Sequence, residues 1–414
     1  MIQRPRGTRD FGPEEMERRR YLESIMRREA ALFGFREVST PIFEHTELFT
    51  LKSGPNVVDE IYAFQDKGGR EISLRPELTA PVMRFFVNEL TNYPRPLKMF
   101  YFGQCFRYER PQSGRYREFY QFGAELIGNP GPESDAEVIA LAASIMRRVG
   151  LKEYSIRIGH IGVLRGMLSQ AGVDAKKAPP ILQKLDKKEY DEARTRMTEA
   201  GMPAEDIEGI IDITRTTGSV EVLEKISGEA KDHLGAIFRI LAAYGITNVQ
   251  VDLGVVRGLD YYTGMVFEMD APVLGAEKQI CGGGSYSLTE LFGGEKTFST
   301  GFGIGFDRTL LALEREGYPT PTQAVGAYII PVSEAVKDEA FRLTAQLRQA
   351  GIVTEVDLMG RNVSKNFKYA ASIHARKALI LGEKELAQGS VALRDMTTGE
   401  QKLVKLEDLI SELR

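Results

Sequence analysis

Two aromatic-rich runs, LKMFYFGQCFRYE (97–109) and REFYQFGAELIG (117–128), constrain this chain more than any other feature. A polar, Gly-containing stretch separates them, and together they predict antiparallel strands joined by a long loop. Side chains two apart on a strand share a face. Gln121, Gly123 and Glu125 therefore line one side of the second strand, with Gly123 leaving room there. Arg107, Arg110, Arg115 and Arg117 crowd eleven positions, with Glu109 and Glu118 as counterweights. A guanidinium presents a fixed fork of donors that suits phosphate. Taken alone, the cluster reads more readily as a solvated hairpin with surface ion pairs.

A chain of 414 residues exceeds one core of ordinary size, so two or three domains are expected. Hydrophobic residues at 43% and charged residues at 27% argue against disorder. No apolar run approaches the ~20 residues that cross a bilayer. The start, MIQRPRGTRDFGPEEM, has no apolar segment of a secretory leader, so a cytosolic protein is expected. The two cysteines, Cys105 and Cys281, and the four histidines have no metal-ligand spacing, and no Cys/His metal site is expected. Mg2+ stays open, because it binds carboxylates and phosphates. A net charge of -4 gives no global pull on nucleic acid, so RNA binding would need local basic patches.

A helix should follow Pro13, with Leu22, Ile25, Met26, Ala30 and Phe33 on one face and Gly34 as its cap. IYAFQD (61–66) and EISLRPE (71–77) suggest a hairpin over Gly68-Gly69, with a helix from about 78 to 90. Residues 161–244 read as a helical insertion. Strand-like sequence returns at VQVDLGVV (249–256), YYTGMVFEMD (261–270) and CGGGSYS (281–287), and FSTGFGIGFDRTLLALERE (298–316) reads as strand, turn and helix. Residues 319–325 form a linker by composition. Beyond it, strands and helices alternate as a small α/β domain, 326–414.

The string FRYERPQSGRYREFYQFGAE (106–125) resembles motif 2 of class II aminoacyl-tRNA synthetases, in the form of the histidyl-tRNA synthetase family. Pro41, closing FREVSTP, resembles motif 1, and GFGIGFDRTLLAL (301–313) motif 3. RGLDYYTG (257–264) and CGGGSYSLTELFGG (281–294) resemble the two histidine-specific motifs, and RPELTAP (75–81) the segment that holds the substrate amino group. The second histidine motif departs at Ser285, where an arginine is common, and at Ser287, where an aspartate is. The resemblance runs from about Gly7 to the C-terminus.

The resemblance implies an α+β catalytic domain over residues 1–318, a mainly antiparallel sheet with flanking helices interrupted by the insertion, followed by an anticodon-binding domain. It implies ATP as a substrate with Mg2+, a homodimer through motif 1, and tRNA(His) as partner. Arg107 would meet the α-phosphate and Arg308 the γ-phosphate. Arg257 would bridge the substrate carboxylate and the α-phosphate as an electrostatic catalyst. Glu77, Thr79 and Gln121 would take the α-ammonium; Glu125 and Tyr262 would take the two imidazole nitrogens, with Tyr261 and Tyr286 beside them. Arg110, Gln112, Arg115 and Arg117 would reach the acceptor end of the tRNA. RNVSKNFKYAASIHARK (361–377) would be a second RNA patch, with Arg361, Lys365 and Lys368 as contacts and Phe367 and Tyr369 interleaved.

Two alternatives carry less weight. A non-catalytic regulatory paralogue that binds histidine typically lacks the C-terminal domain and loses catalytic residues, whereas Arg107, Arg257 and Arg308 are all present here. Synthetases for glycine, threonine or proline share motifs 1 to 3, but RGLDYYTG argues against them.

Overall fold

The computed structural model describes residues 2–108, 115–174, 176–255, 261–319 and 325–414. It divides into two units, Met1–Thr320 and Pro321–Arg414.

The first unit opens with α1 (Pro13–Leu32). Pro13 occupies its first turn, where a missing N–H leaves nothing unsatisfied. Gly34 follows with φ 78° and donates its N–H to the Ala31 carbonyl, ending the helix. The chain continues through β1 (Arg36–Glu37), β2 (Phe43–His45), α2 (Thr46–Ser53), β3 (Tyr62–Gln65), β4 (Glu71–Leu74) and α3 (Thr79–Phe85). The strand β2 was not legible in the sequence; it pairs with β4 in a three-stranded sheet, β2-β4-β3.

The long hairpin is β5 (Leu97–Phe106) and β6 (Glu118–Ile127), then α4 (Pro132–Val149) and β7 (Ser155–His160). Next come α5 (Ile161–Gln170), α6 (Ala178–Asp186), α7 (Tyr190–Glu199), α8 (Ala204–Thr214), β8 (Thr217–Gly218) and α9 (Glu229–Ala243). Leu164, Ile181, Leu185, Met197 and Ile211 give α5 to α8 a core of their own. The unit closes with β9 (Val249–Asp252), β10 (Tyr262–Asp270), β11 (Gln279–Tyr286), β12 (Ser299–Gly305) and α10 (Phe306–Arg315).

Nine strands form one sheet in the order β1-β5-β6-β12-β11-β10-β7-β9-β8. The central pairs are antiparallel, while β1–β5 and β7–β9 are parallel. Each strand alternates its faces. Phe100, Phe122, Ala124, Leu126, Phe267 and Phe302 meet α1, α4 and α9 on one side. Met99, Tyr101, Ile127, Tyr262, Val266 and Tyr286 lie on the other, under Leu78 and under Val82 and Met83 of α3. Thirteen of the eighteen residues of α4 are buried, so it presents almost no polar stripe and reads poorly as a helix in sequence.

The second unit has β13 (Ala327–Pro331), α11 (Lys337–Gln349), β14 (Thr354–Val356), α12 (Val363–Ser372), β15 (Lys377–Leu381), α13 (Glu383–Ala387), β16 (Ser390–Asp395), β17 (Gln401–Lys405) and α14 (Leu409–Leu413). Its sheet runs β14-β13-β15-β16-β17, with the first three strands parallel.

In the hairpin register, Gly123 lies opposite Tyr101. The room that the glycine leaves is therefore not open to a ligand, as the sequence suggested; the Tyr101 ring fills it. A Cβ added at Gly123 would fall 2.4 Å from that ring. Gly123→Ala should cost roughly 1–3 kcal/mol by overpacking, measured as a lowered midpoint in chemical denaturation with an unchanged slope.

Candidate active site

Glu125 is the most constrained group on the face covered by α3. It is 1% exposed. Tyr101 donates its hydroxyl to one carboxylate oxygen at 2.8 Å, and Tyr286 to the other at 2.5 Å. Since Tyr101 spends its proton on Glu125, Thr79 is left to donate to the Tyr101 oxygen at 3.3 Å. Burial pushes the Glu125 carboxyl up to about 7, against the opposing pull of the two phenols. Burial and the charge of Glu125 likewise push both tyrosines well above their ordinary value. Gly301, the cross-strand partner of Glu125, leaves the space its carboxylate occupies: a Cβ there would fall 1.7 Å from Oε2.

Beside this cluster, Tyr262 packs against Tyr286, and Tyr261 donates to the Tyr262 hydroxyl at 3.4 Å. Glu77 accepts the N–H groups of Thr79 and Ala80 at the start of α3, which fixes its carboxylate at a helix N-terminus. Its other neighbour is Lys52, with Nζ 3.1 Å from Glu77 Oε1 and 4.5 Å from the Tyr261 ring centre. Neither Tyr101 nor Lys52 was singled out from the sequence. Tyr101 had a usable signal, an aromatic facing a strand glycine; Lys52 had none, because only the fold brings α2 to α3.

Farther along the same strands lies a cavity of about 280 Å³. Arg107, Arg308, Arg115, Phe119, Gln121 and Asp307 are among its walls. Arg107 donates from Nε to the Pro76 carbonyl at 3.0 Å, and its guanidinium sits 5.2 Å from the Phe119 ring centre. Arg308 donates to the Gln279 carbonyl at 3.0 Å and to Glu277 at 3.2 Å. Arg115 reaches the same Glu277 oxygen at 3.0 Å. Gln121 accepts the Cys105 thiol at 3.4 Å, and burial pushes that thiol up to about 12, so it is inert. The arginines and the Glu125 cluster thus share one face of the sheet, joined through β6.

A second cavity, about 740 Å³, is lined by Asp135, His160, His233 and Ser285 among others. Among its described lining residues Lys225 is the single permanent cation, so it is the poorer place for a polyphosphate. Ser285 donates to Asp135 at 2.7 Å, and Asp135 pairs with His233 at 2.7 Å. Ser285 faces this second cavity, so strand alternation turns Tyr286 to the opposite face, where it bonds Glu125.

Arg257, Arg110 and Gln112 lie outside the described residues. Arg117 places its guanidinium 4.4 Å from the Tyr108 ring centre. In the second unit, Lys365 and Lys368 are exposed on α12. Arg361 is held by Asp357 at 3.1 Å and lies over the Tyr369 ring. Phe367 and Tyr369, expected to interleave with RNA, are half-buried and pack in part against Tyr328 and its neighbours. The strongly exposed apolar side chains nearby are Leu358 and Met359.

The comparisons agree with this geometry. The family model described as histidyl-tRNA synthetase matches residues 7–309, and that described as anticodon binding domain matches 326–414. A histidine–tRNA ligase of Archaeoglobus fulgidus is 46% identical over all of both chains. The crystal structure of histidyl-tRNA synthetase from Nostoc sp. PCC 7120 is 25% identical, with a TM-score of 0.84 over 100% of this chain and 99% of that one. An ATP phosphoribosyltransferase regulatory subunit/histidyl-tRNA synthetase from Bacillus halodurans is 26% identical, with a TM-score of 0.79 over 92% of this chain and 98% of that one. Sheet, arginine cavity and C-terminal unit together define a class II aminoacyl-tRNA synthetase architecture. Within that class, the chain belongs to the histidyl-tRNA synthetase family.

The buried carboxyl gives a pH test. Glu125 titrates near 7 when folded and near 4.5 when unfolded. Between those values the unfolded chain gives up the proton while the folded protein keeps it, so this group's contribution to stability is lost as pH rises through that window. Glu125→Gln removes that contribution. The Tm of the variant relative to its parent should rise between about pH 5 and pH 7, read by scanning calorimetry.

Proposed function

We propose that this chain activates L-histidine with ATP and transfers it to the 3′ end of tRNA(His), releasing AMP and pyrophosphate. In the first step the substrate carboxylate attacks the α-phosphorus, the new acyl phosphate bond forms, and the bond to pyrophosphate breaks. In the second a hydroxyl of the terminal ribose attacks the acyl carbon and AMP departs. The carboxylate is already ionised, so the first step needs no base. Charge gathers on the α-phosphate oxygens, where fixed cations act most strongly. Arg107, Arg257 and Arg308 are assigned to that work, with Arg107 on the α-phosphate and Arg308 on the γ-phosphate.

The observation that carries this reading is the shared face: arginines around a cavity at one end of β6, and a buried carboxylate flanked by phenols at the other. Glu125 and Tyr262 are assigned to the imidazole nitrogens, Tyr261 and Tyr286 to the ring's surroundings. Glu77, Thr79 and Gln121 are assigned to the α-ammonium. In this proposal Mg2+ travels with the ATP phosphates, because it favours phosphate and carboxylate oxygens.

Arg110, Gln112, Arg115 and Arg117 are assigned to the tRNA acceptor end; Arg361, Lys365 and Lys368 to its anticodon end. A homodimer through the segment around Pro41 fits the exposure of Ile42 and Phe43 beside it. No described helix is long and apolar enough to cross a membrane, and a cytoplasmic site of action is part of the proposal.

ATP–pyrophosphate exchange measured across the amino acids tests the activity. Exchange dependent on histidine alone is expected. No exchange, with histidine binding intact, would point instead to a non-catalytic histidine-binding subunit.

A further inference from the structure

We propose that Arg9 is a positioning residue for the nucleotide cavity, acting through Asp307 and Tyr116. The inference rests on the assignment of that cavity to ATP.

Residues 7–11 belong to no helix or strand, yet alternate residues are pinned. The Gly7 carbonyl accepts the Arg117 N–H at 2.9 Å. Arg9 Nη2 lies 2.5 Å from Asp307 Oδ1, and its guanidinium lies 3.6 Å from the Tyr116 ring centre. Phe11 meets the Tyr120 ring edge-on and takes the Arg19 guanidinium at 4.0 Å. Apart from Arg19 on α1, the partners lie on β6, on the two residues just before it, or on the residue that precedes Arg308.

Asp307 is where they converge. It is buried, and its Oδ1 also takes Arg19 Nη1 at 2.7 Å. Its Oδ2 accepts the Tyr120 N–H at 2.7 Å, which ties the start of α10 to β6. Asp307 and Tyr116 both line the cavity; Arg9 does not. Arg9 therefore stands behind the wall, clamping one cavity residue by its charge and another by its flat face. Two guanidinium groups against one carboxylate also leave a net positive charge behind a wall that is to meet a polyanion. A guanidinium satisfies both contacts at once; an ammonium keeps the charge but not the planar stack.

The test is pyrophosphate exchange with ATP and histidine varied separately, in Arg9→Ala and Arg9→Lys, alongside Tm. Arg9→Ala should raise KM for ATP about tenfold, as loss of one charge-assisted contact would, while KM for histidine stays within about twofold. Arg9→Lys should recover only part of the loss. A merely structural role would lower Tm and move both KM values together, and that outcome overturns the proposal, as does an unchanged KM for ATP. Should Arg9→Ala fail to fold, Arg9→Lys is read by the same split: a rise in KM for ATP alone supports the proposal, and no rise overturns it. An unsubstituted protein that shows no histidine-dependent exchange would defeat the functional reading itself, a result distinct from either of these.

Discussion

Glu125 sits on the third strand of a nine-stranded sheet with almost no access to water, and two tyrosine hydroxyls hold its two oxygens. A carboxylate buried without donors would be costly, so the strands around it are built to supply them. Tyr101 can reach because Gly123 faces it without a side chain, and the carboxylate has space because Gly301 does the same. Tyr286 can reach because β11 lies two strands from β6, with β12 between them. Three strands and two glycines thus depend on one acid.

That acid also sets the scale of the neighbouring chemistry. The α3 helix covers its face and brings Thr79 onto Tyr101, while Glu77 fixes the start of the same helix and meets Lys52. Four residues earlier on β6, Gln121 opens into the arginine cavity. The Glu125 end is buried enough to raise a carboxyl to about 7; the other end is lined by guanidinium groups. One strand carries both environments, and the proposed orientation of the substrate carboxylate toward the ATP phosphates rests on that arrangement.

Much of this was legible in the sequence, because strand alternation alone places Gln121, Gly123 and Glu125 on one face. The motif resemblance singled out Arg107 and Arg308, and the structure brings both to one cavity. What was not legible depends on contacts across long separations. Lys52 reaches Glu77 only through the packing of two short helices, and Arg9 reaches Asp307 across the whole unit. The helix α4 was hidden by its own burial, since a helix apolar on most sides has no stripe to reveal its period. Phe367 and Tyr369 show another limit: aromatics among lysines look fully exposed, yet both are half-buried against their own domain's core.

The central claim is that this cluster reads both nitrogens of an imidazole ring. Calorimetric binding of histidine, and of the two histidines methylated on one or other ring nitrogen, measures it directly. The account predicts that histidine binds and that each methylated form loses on the order of 10⁴ in affinity, because a buried polar partner is left unsatisfied. Either methylated form binding within about tenfold of histidine would contradict it.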